Sequence, residues 1–340
     1  MATPDDDARQ TRFRSLKLAA LVREHHGRDL DATPGAFPVG AASMVGDAAW
    51  VLVEDHPERG LGPALAWAVR HGATSLHVLA DHDTGTLARR AEAFGFAIEV
   101  WHVAERTLLP AVAEPLAPPS AASPDHLELR GAIAAGGATP VVEHGVVLGD
   151  VRGLEVCRVV GDGATGAVRL EVGVGAHDRE AFAMIHGEVP AASALRGVVD
   201  AVTAHRQPDA PDHPLGRLLP ERLLRWDLVE QPERIGLGSL AATEPPLPRP
   251  NVKDRLPATA RGLTPAGDPV VVVCSVGVDL DLVPYATDAR LAVQRAGGGE
   301  PGVGDGSGPG TWLVVPARDH VAITTDLANL LNEPMRIVAV

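Results

Sequence analysis

A hairpin-like stretch in the middle of the chain carries the side chains best suited to acid–base chemistry. In RLEVGVGAHDREAF, residues 169 to 182, alternation with a period of two puts Glu171 on the strand face opposite the valines. His177 and Asp178 follow within about one turn of a predicted helix. Carboxylates can bind Mg²⁺ or Mn²⁺, and a neighbouring imidazole can transfer a proton. We therefore select Glu171, His177 and Asp178 as candidate catalytic residues, and Glu171 and Asp178 as candidate metal ligands.

Further carboxylates come directly after predicted parallel strands. Asp81 follows SLHVLA, and Asp279 follows VVVVCSVGV. Ligands of open parallel sheets bind beyond the carboxyl ends of the strands, so we add Asp81 and Asp279 as candidate metal ligands. A structural interpretation competes with this one, because an aspartate after a strand commonly caps the next helix. Asp281 in particular predicts a helix that begins near Leu282.

The middle stretch also has a structural interpretation. Glu171 could lie on the solvated face of a hairpin, and Asp178 stands where a helix N-cap is expected. A hairpin acid followed by further acids resembles the pattern of metal-dependent nucleases of the PD-(D/E)xK type. That pattern has a lysine two residues after the acid, where this chain has Gly173, and no Pro-Asp pair precedes Glu171 at a convincing distance. We do not assign the chain to that family.

Hydrophobic periodicity predicts the elements that must position these residues. Residues 46–115 alternate as βαβαβ, and residues 262–340 repeat that order. The chain between them, residues 125–243, has antiparallel strands followed by helices, and residues 1–45 form an N-terminal helical arm. Pro-rich linkers are predicted at 111–125 and 244–257. The predicted fold is α/β with an α+β middle region, and the two βαβαβ units could share one sheet or form two.

Charge limits the partners that the chain can bind. Its 340 residues carry a net charge of −14, and aromatic residues make up 3%. Such a chain repels phosphate backbones and offers few surfaces for base stacking. Nucleic acid is therefore expected only at the basic N-terminal helix, RQTRFRSLKLAALVREHHGR, which otherwise docks on its own protein.

Location is predicted from the cysteines and the apolar runs. Cys157 and Cys274 lie in apolar strand-like segments without metal-ligand spacing, so we expect buried, reduced thiols. No run of 18 apolar residues occurs. We expect a cytoplasmic protein that does not span a membrane.

Two functional hypotheses remain open. The first is a non-catalytic ligand-binding or protein-interaction module that could assemble as a homo-oligomer. The second is a divalent-metal-dependent phosphoester hydrolase, nuclease-like, that uses the carboxylates near Glu171 and Asp178. The cofactor is unknown, with Mg²⁺ or Mn²⁺ expected for the hydrolase.

Overall fold

The fold is α/β, as the sequence predicts, and its described residues form three β-sheets. The computed structural model describes residues 4–161, 166–186, 191–249, 251–296 and 309–340. Sheets with parallel strands occur near both ends of the chain, and an antiparallel sheet is formed by the middle of the chain. Most of the DGATG turn that the sequence predicts at residues 162–166, and most of the Gly-rich stretch at 297–310, lie outside the described residues.

The first sheet has six strands in the order β1 to β6. Strands β3, β4 and β5 are parallel, and the other neighbours are antiparallel. The strands are β1 (Ala32–Gly35), β2 (Gly40–Val45), β3 (Ala48–Val53), β4 (Ser75–Ala80), β5 (Ala97–Ala104) and β6 (Thr107–Pro110). The predicted 1–45 arm is therefore helical only in its first part, because β1 and β2 also belong to it.

Three helices accompany this sheet: α1 (Pro4–His26), α2 (Leu61–Arg70) and α3 (Thr84–Ala91). Helix α1 packs on β2, β3 and β6. Its Leu18 and Leu21 are buried with Trp50 and Leu52, which alternate along β3. Val51 and Val53 are also buried, although alternation points them to the other face of the sheet, so both faces are covered.

The middle sheet is antiparallel, in the order β10-β9-β8-β7. Its strands are β7 (Thr139–Glu143), β8 (Val146–Val151), β9 (Leu154–Gly161) and β10 (Val168–Val172). The surrounding helices are α4 (Pro124–Glu128), α5 (Arg130–Ala135), α6 (Gly175–His186), α7 (Ala191–His205), α8 (Pro214–Arg217) and α9 (Pro220–Glu230). Helices α5 and α7 cover the sheet, and Ile133, Leu195 and Val202 are fully buried in its core.

The third sheet has the order β11-β12-β13-β14-β15, so the two βαβαβ segments form separate sheets. It begins with antiparallel pairs and continues with a parallel one, β13 to β14, as the first sheet does. The elements are β11 (Ser239–Ala242), β12 (Ala258–Leu263), β13 (Pro269–Cys274), α10 (Leu282–Ala296), β14 (Gly310–Val315), α11 (Ala322–Ala328) and β15 (Met335–Ala339). The two predicted linkers contain no helix or strand from residue 111 to 123 or among the described residues of 244–257.

The chain folds into two compact units, each discontinuous in sequence. Unit 1 comprises residues 1–116, 278–291 and 320–337, and unit 2 comprises residues 117–277, 292–319 and 338–340. Most of α10 and all of α11 thus belong to unit 1, whereas β13 and β14 belong to unit 2. The predicted four segments follow the order of the elements, and their independent folding stays a prediction. Among the described residues, no helix has both the length and the hydropathy to cross a bilayer.

Candidate functional site

The hairpin acid Glu171 lies on β10, where it is paired with arginine. Its cross-strand neighbour on β9 is Arg158. Nη2 of Arg169 donates to Oε1 of Glu171 at 2.8 Å, and Nε of Arg179 lies 3.8 Å from Oε2. Glu171 is partly buried, with 27% of its side chain exposed. A metal ion at Glu171 would therefore compete with two guanidinium groups.

Arg179 lies near both Glu171 and Glu155 and so joins them in one charged cluster, although the sequence analysis did not select it. Its side chain is only 8% exposed, and Nη1 donates to Oε1 of Glu155 at 3.1 Å. Glu155 also accepts a bidentate pair from Arg158, at 2.6 and 2.9 Å. Desolvation lowers the pKa of Arg179 and outweighs the attraction of Glu155, which acts in the opposite direction. The pKa of Arg158 is raised, chiefly by its hydrogen bond to Glu155. Positive and negative charges thus alternate through this cluster.

The turn from β10 into α6 explains both Gly173 and Asp178. Helix α6 begins at Gly175, three residues before Asp178, so Asp178 is not the N-cap. Its Oδ2 instead reaches back and accepts the backbone N–H of Val174 at 2.7 Å. Gly173 has φ +138°, and a Cβ there would lie 2.9 Å from the backbone N of Arg179 and 3.0 Å from Oδ2 of Asp178. The lysine of the nuclease pattern would not fit this position without moving the turn.

Asp178 also lines a groove in unit 2 with a volume of about 560 Å³. The walls come from the start of α6, from one face of α7 and from the region of α8. The lining side chains are mostly small and apolar: Val174, Asp178, Ser193, Ala194, Gly197, Val198, Ala201, Val202, Leu215 and Leu218. Of the lining residues that the structure describes, Asp178 is the one with an ionisable side chain.

Helix α7 borders both the groove and the core, and Ala194 and Val202 belong to both. Leu195 and Val199 face the buried core of the middle sheet. The groove wall is formed by a stripe at helical spacing that includes Ala194, Gly197 and Ala201. These small side chains leave space above the helix, and a Cβ placed on Gly197 would meet no atom within 4 Å. The spacing can be read from SALRGVVDAVTAH, residues 193 to 205, but nothing in the local sequence indicates that this face lines a groove.

His177 stands apart from this cluster. Its imidazole is fully exposed, and its Nδ1 lies 3.9 Å from the Glu180 carboxylate one helical turn away. It does not line the groove. A catalytic role for His177 stays a prediction.

The candidate ligands Asp81 and Asp279 belong to unit 1, whereas Glu171 and Asp178 belong to unit 2, and a metal site that they share stays a prediction. Asp81 is about half exposed and lies 3.6 Å from Nε2 of His82. Asp279 is paired, because Nη2 of Arg59 donates to its Oδ2 at 2.6 Å. Its Oδ1 accepts the backbone N–H of Asp281 at 3.0 Å. This Asx-type turn supports the structural interpretation of the strand-to-helix connection.

Asp281 is buried and does not cap its own helix through its side chain. Helix α10 begins at Leu282, as predicted. The Asp281 carboxylate accepts the backbone N–H of Gly62, in the first turn of α2, at 3.2 Å. It also pairs with Arg90 on α3 at 2.9 Å. Asp281 thus caps a helix that precedes it by more than 200 residues.

Among the described residues, no group of three or more His, Cys, Asp or Glu side chains is arranged to hold a metal ion. Comparisons with protein-family models, curated proteins and solved structures found no match for this chain.

Proposed function

We propose that the protein is a non-catalytic binding module whose unit 2 groove takes a small molecule with an apolar body and a cationic head. The groove carries the proposal, since it combines a volume of about 560 Å³ with described lining residues that are mostly apolar and include one carboxylate, that of Asp178. Ligand pockets in proteins have roughly 300–1,000 Å³, apolar linings and a few polar groups that orient the ligand.

The positive charge that we propose for the head group of the ligand follows from the carboxylate of Asp178. Its Oδ2 accepts the Val174 N–H, whereas Oδ1 accepts no hydrogen bond from the part of the chain that the structure describes. The Ser193 hydroxyl offers a second polar contact in the groove. A cationic or hydrogen-bond-donating head can pair with Asp178 while its apolar body covers the small residues of α7.

The cysteines support a binding rather than a thiol-catalytic role. Burial raises the pKa of both Cys157 and Cys274 to about 12, so neither supplies a thiolate near neutral pH. Both are free thiols in the interior. Their reduced state supports a cytoplasmic location as part of this proposal.

Filling the groove tests the proposal directly. Gly197→Leu adds a side chain whose Cβ meets no atom within 4 Å, and leucine is a better helix former than glycine. The matched control is Gly131→Leu, whose Cβ also meets no atom within 4 Å but which lies on α5 and outside the groove. We expect Nile red to bind the wild type and the control, and to bind Gly197→Leu at least tenfold more weakly. Equal binding to Gly197→Leu and the wild type would exclude the groove.

Competition between charged amphiphiles tests the head group. Below its micellar concentration, dodecyltrimethylammonium should displace Nile red more effectively than dodecyl sulfate, by about fivefold for an ion pair worth about 1 kcal/mol. In Asp178→Asn this preference should disappear, since asparagine keeps an acceptor for the Val174 N–H but loses the charge. Mass spectrometry of the native protein would then identify any molecule that co-purifies with it.

A further inference from the structure

A histidine on β4 lies between two tryptophans and a glutamate on the face of the first sheet that α1 covers. His77 is the cross-strand neighbour of Trp50 on β3 and of Glu99 on β5, so the three side chains share one face of the sheet. Trp101, two residues after Glu99, lies on the same face. The imidazole of His77 stacks on Trp50 with 3.9 Å between ring centroids and a tilt of 12°. This stack fixes the plane of the imidazole.

One ring nitrogen of His77 faces two groups that need it in opposite protonation states. Nε1 of Trp101 donates to Nδ1 of His77 at 3.2 Å. Oε2 of Glu99 lies 3.2 Å from that same Nδ1. Nδ1 can accept the indole N–H only when it carries no proton, and it can donate to the carboxylate only when it carries one. The two contacts of His77 therefore exclude each other.

The neutral state of His77 keeps the bond from Trp101. The half-buried Trp101 indole has no other hydrogen-bond acceptor among the residues that the structure describes, whereas the Glu99 side chain is 63% exposed and can bind water. Losing a partner is costlier for the less solvated group, so we place the hydrogen of neutral His77 on Nε2. A proton taken up from solvent then goes to Nδ1. There it displaces the indole N–H and forms a charged hydrogen bond to Glu99.

The last turn of α1 packs on the same two tryptophans. The ring centroid of His25 lies 4.8 Å from that of Trp101 and 5.5 Å from that of Trp50. His26 lies 5.3 Å from Trp50, and the two histidine rings are 5.0 Å apart. Burial lowers the pKa of His26, and the neighbouring His25 and Arg28 lower it further. The end of α1 is thus held on the sheet by imidazole–indole contacts that favour uncharged imidazoles.

Protonation of His77 adds a charge next to these two imidazoles. The titratable groups that act on His77 are Glu99 from β5 and His25 and His26 from α1, whereas β3 contributes the uncharged Trp50. Burial lowers the pKa of His77 and outweighs the attraction of Glu99, which acts in the opposite direction. Three imidazoles thus surround one mostly exposed carboxylate, and their charges repel one another when all three are protonated.

We infer that His77 is a pH-sensitive switch that determines whether the last turn of α1 stays docked on the first sheet. Neutral His77 accepts the Trp101 indole N–H and leaves that ring in place for the histidines of α1. Protonated His77 donates to Glu99 instead, and repulsion among the imidazoles loosens the end of the helix. Leu18 and Leu21 stay buried, so the rest of α1 remains on the sheet.

The direction of the switch follows from the preference of the docked state for neutral His77. Docking lowers the pKa of His77, so the stabilisation from docking is complete above the pKa of the undocked state. It is lost as the pH falls through the lower pKa of the docked state. Acid therefore releases the end of α1.

Nuclear magnetic resonance of the indole N–H groups reports the switch directly, because the full chain has 5 tryptophans. The Trp101 signal, identified by its loss in Trp101→Phe, should shift between pH 7.5 and pH 4.5 with a midpoint below 6.5. Glu99→Gln should lower this midpoint by about half a pH unit, as expected for a partly exposed ion pair. The control His102→Gln, on the opposite face of β5, should titrate as the wild type does. A Trp101 signal that does not shift, or an unchanged midpoint in Glu99→Gln, overturns the inference.

Hydrogen exchange measures the release of α1. Mass spectrometry of peptides that cover residues 21–28 gives the protection of the last turn, corrected for the intrinsic pH dependence of exchange. From pH 7.5 to pH 4.5, protection should fall about tenfold in the wild type and in His102→Gln. His77→Gln should keep most of it, because its amide can accept the Trp101 N–H but takes up no proton. Equal losses in His77→Gln and the wild type contradict the switch, and the exposed Glu99→Gln tests it independently should His77→Gln not fold.

Discussion

Arg90 and Asp288 form an ion pair that is closed to solvent. Nε of Arg90 donates to Oδ2 of Asp288 at 2.7 Å, and both side chains are 0% exposed. Nη1 of Arg90 also donates to Asp281 at 2.9 Å and to the backbone oxygen of Glu58 at 2.6 Å. Asp288 receives a second guanidinium, that of Arg89, at 2.8 Å. These bonds connect α3 to the first turns of α10 within unit 1.

Removing Arg90 should destabilise unit 1 strongly. Arg90→Met leaves the Asp281 carboxyl buried without its guanidinium partner, and breaking a buried pair costs about 3–5 kcal/mol. The control Arg70→Met lies on the exposed end of α2 and should change the free energy of unfolding by less than about 0.5 kcal/mol. Urea unfolding followed by circular dichroism measures both. Similar midpoints for the two variants would mean that the buried pair contributes nothing net.

Asp281 should make stability decrease with rising pH. Burial raises the pKa of Asp281 from 3.8 to about 7, because the cost of desolvating the carboxylate outweighs the attraction of Arg90. The folded protein therefore binds this proton more tightly than the unfolded chain. The stabilisation from Asp281 is complete at pH values below the pKa of this group in the unfolded chain. It is lost as the pH rises through the pKa of this group in the folded protein, by at most about 1.4 kcal/mol per pH unit.

The matched variant for this effect is Asp281→Asn, which keeps the shape of the protonated acid and does not titrate. The difference in unfolding free energy between the wild type and Asp281→Asn should shift in favour of the variant between pH 4 and pH 7. A difference that stays constant over this range would show that Arg90 keeps Asp281 ionised throughout.

Gly173 should tolerate no side chain. With φ +138° and atoms of Arg179 and Asp178 at 2.9–3.0 Å from a Cβ position, Gly173→Ala forces the turn into α6 to move. We expect a loss of about 1–3 kcal/mol, in the range of strained backbone positions. Gly166→Ala is the control, because it also has positive φ but meets no neighbouring atom. Thermal denaturation compares the two, and equal losses would assign the effect to φ alone.

The two functional hypotheses differ in what they predict for metal binding, since only the hydrolase needs Mg²⁺ or Mn²⁺. Glu171 is paired with Arg169 and lies near Arg179, so we expect that neither ion changes the melting temperature of the protein. A stabilising shift that Glu171→Ala removes and the nearby Glu180→Ala retains would support a metal site at Glu171 instead. Because this measurement needs no substrate, it separates the two functional hypotheses before any activity is known.

The sequence predicted only part of the candidate site. Asp178 was selected as a candidate catalytic residue and metal ligand, and it lines the groove. The alternative interpretation, a helix N-cap, is wrong, because Asp178 lies within α6 and accepts the Val174 N–H. Arg179 was not selected, since nothing local distinguishes a buried arginine from a solvated one on an amphipathic helix. Its partners lie on two strands, and only the packing of α6 against β9 and β10 brings them within reach.

The sequence by itself determined the order of strands and helices, because periodicity and turn residues act over a few positions. Helix α10 begins at Leu282 as the pattern predicts. The short strands β1 and β2 have no clear alternation and are defined by pairing, since β1 pairs with β2 and β2 pairs with β3. Tertiary structure alone decided which charges meet: Asp281 and Arg90 are 191 residues apart, and their bond depends on packing between distant segments. The local sequence determines the conformational preferences of the backbone. Which buried charges pair is decided by tertiary packing, because packing brings side chains from distant segments together and removes water from around them.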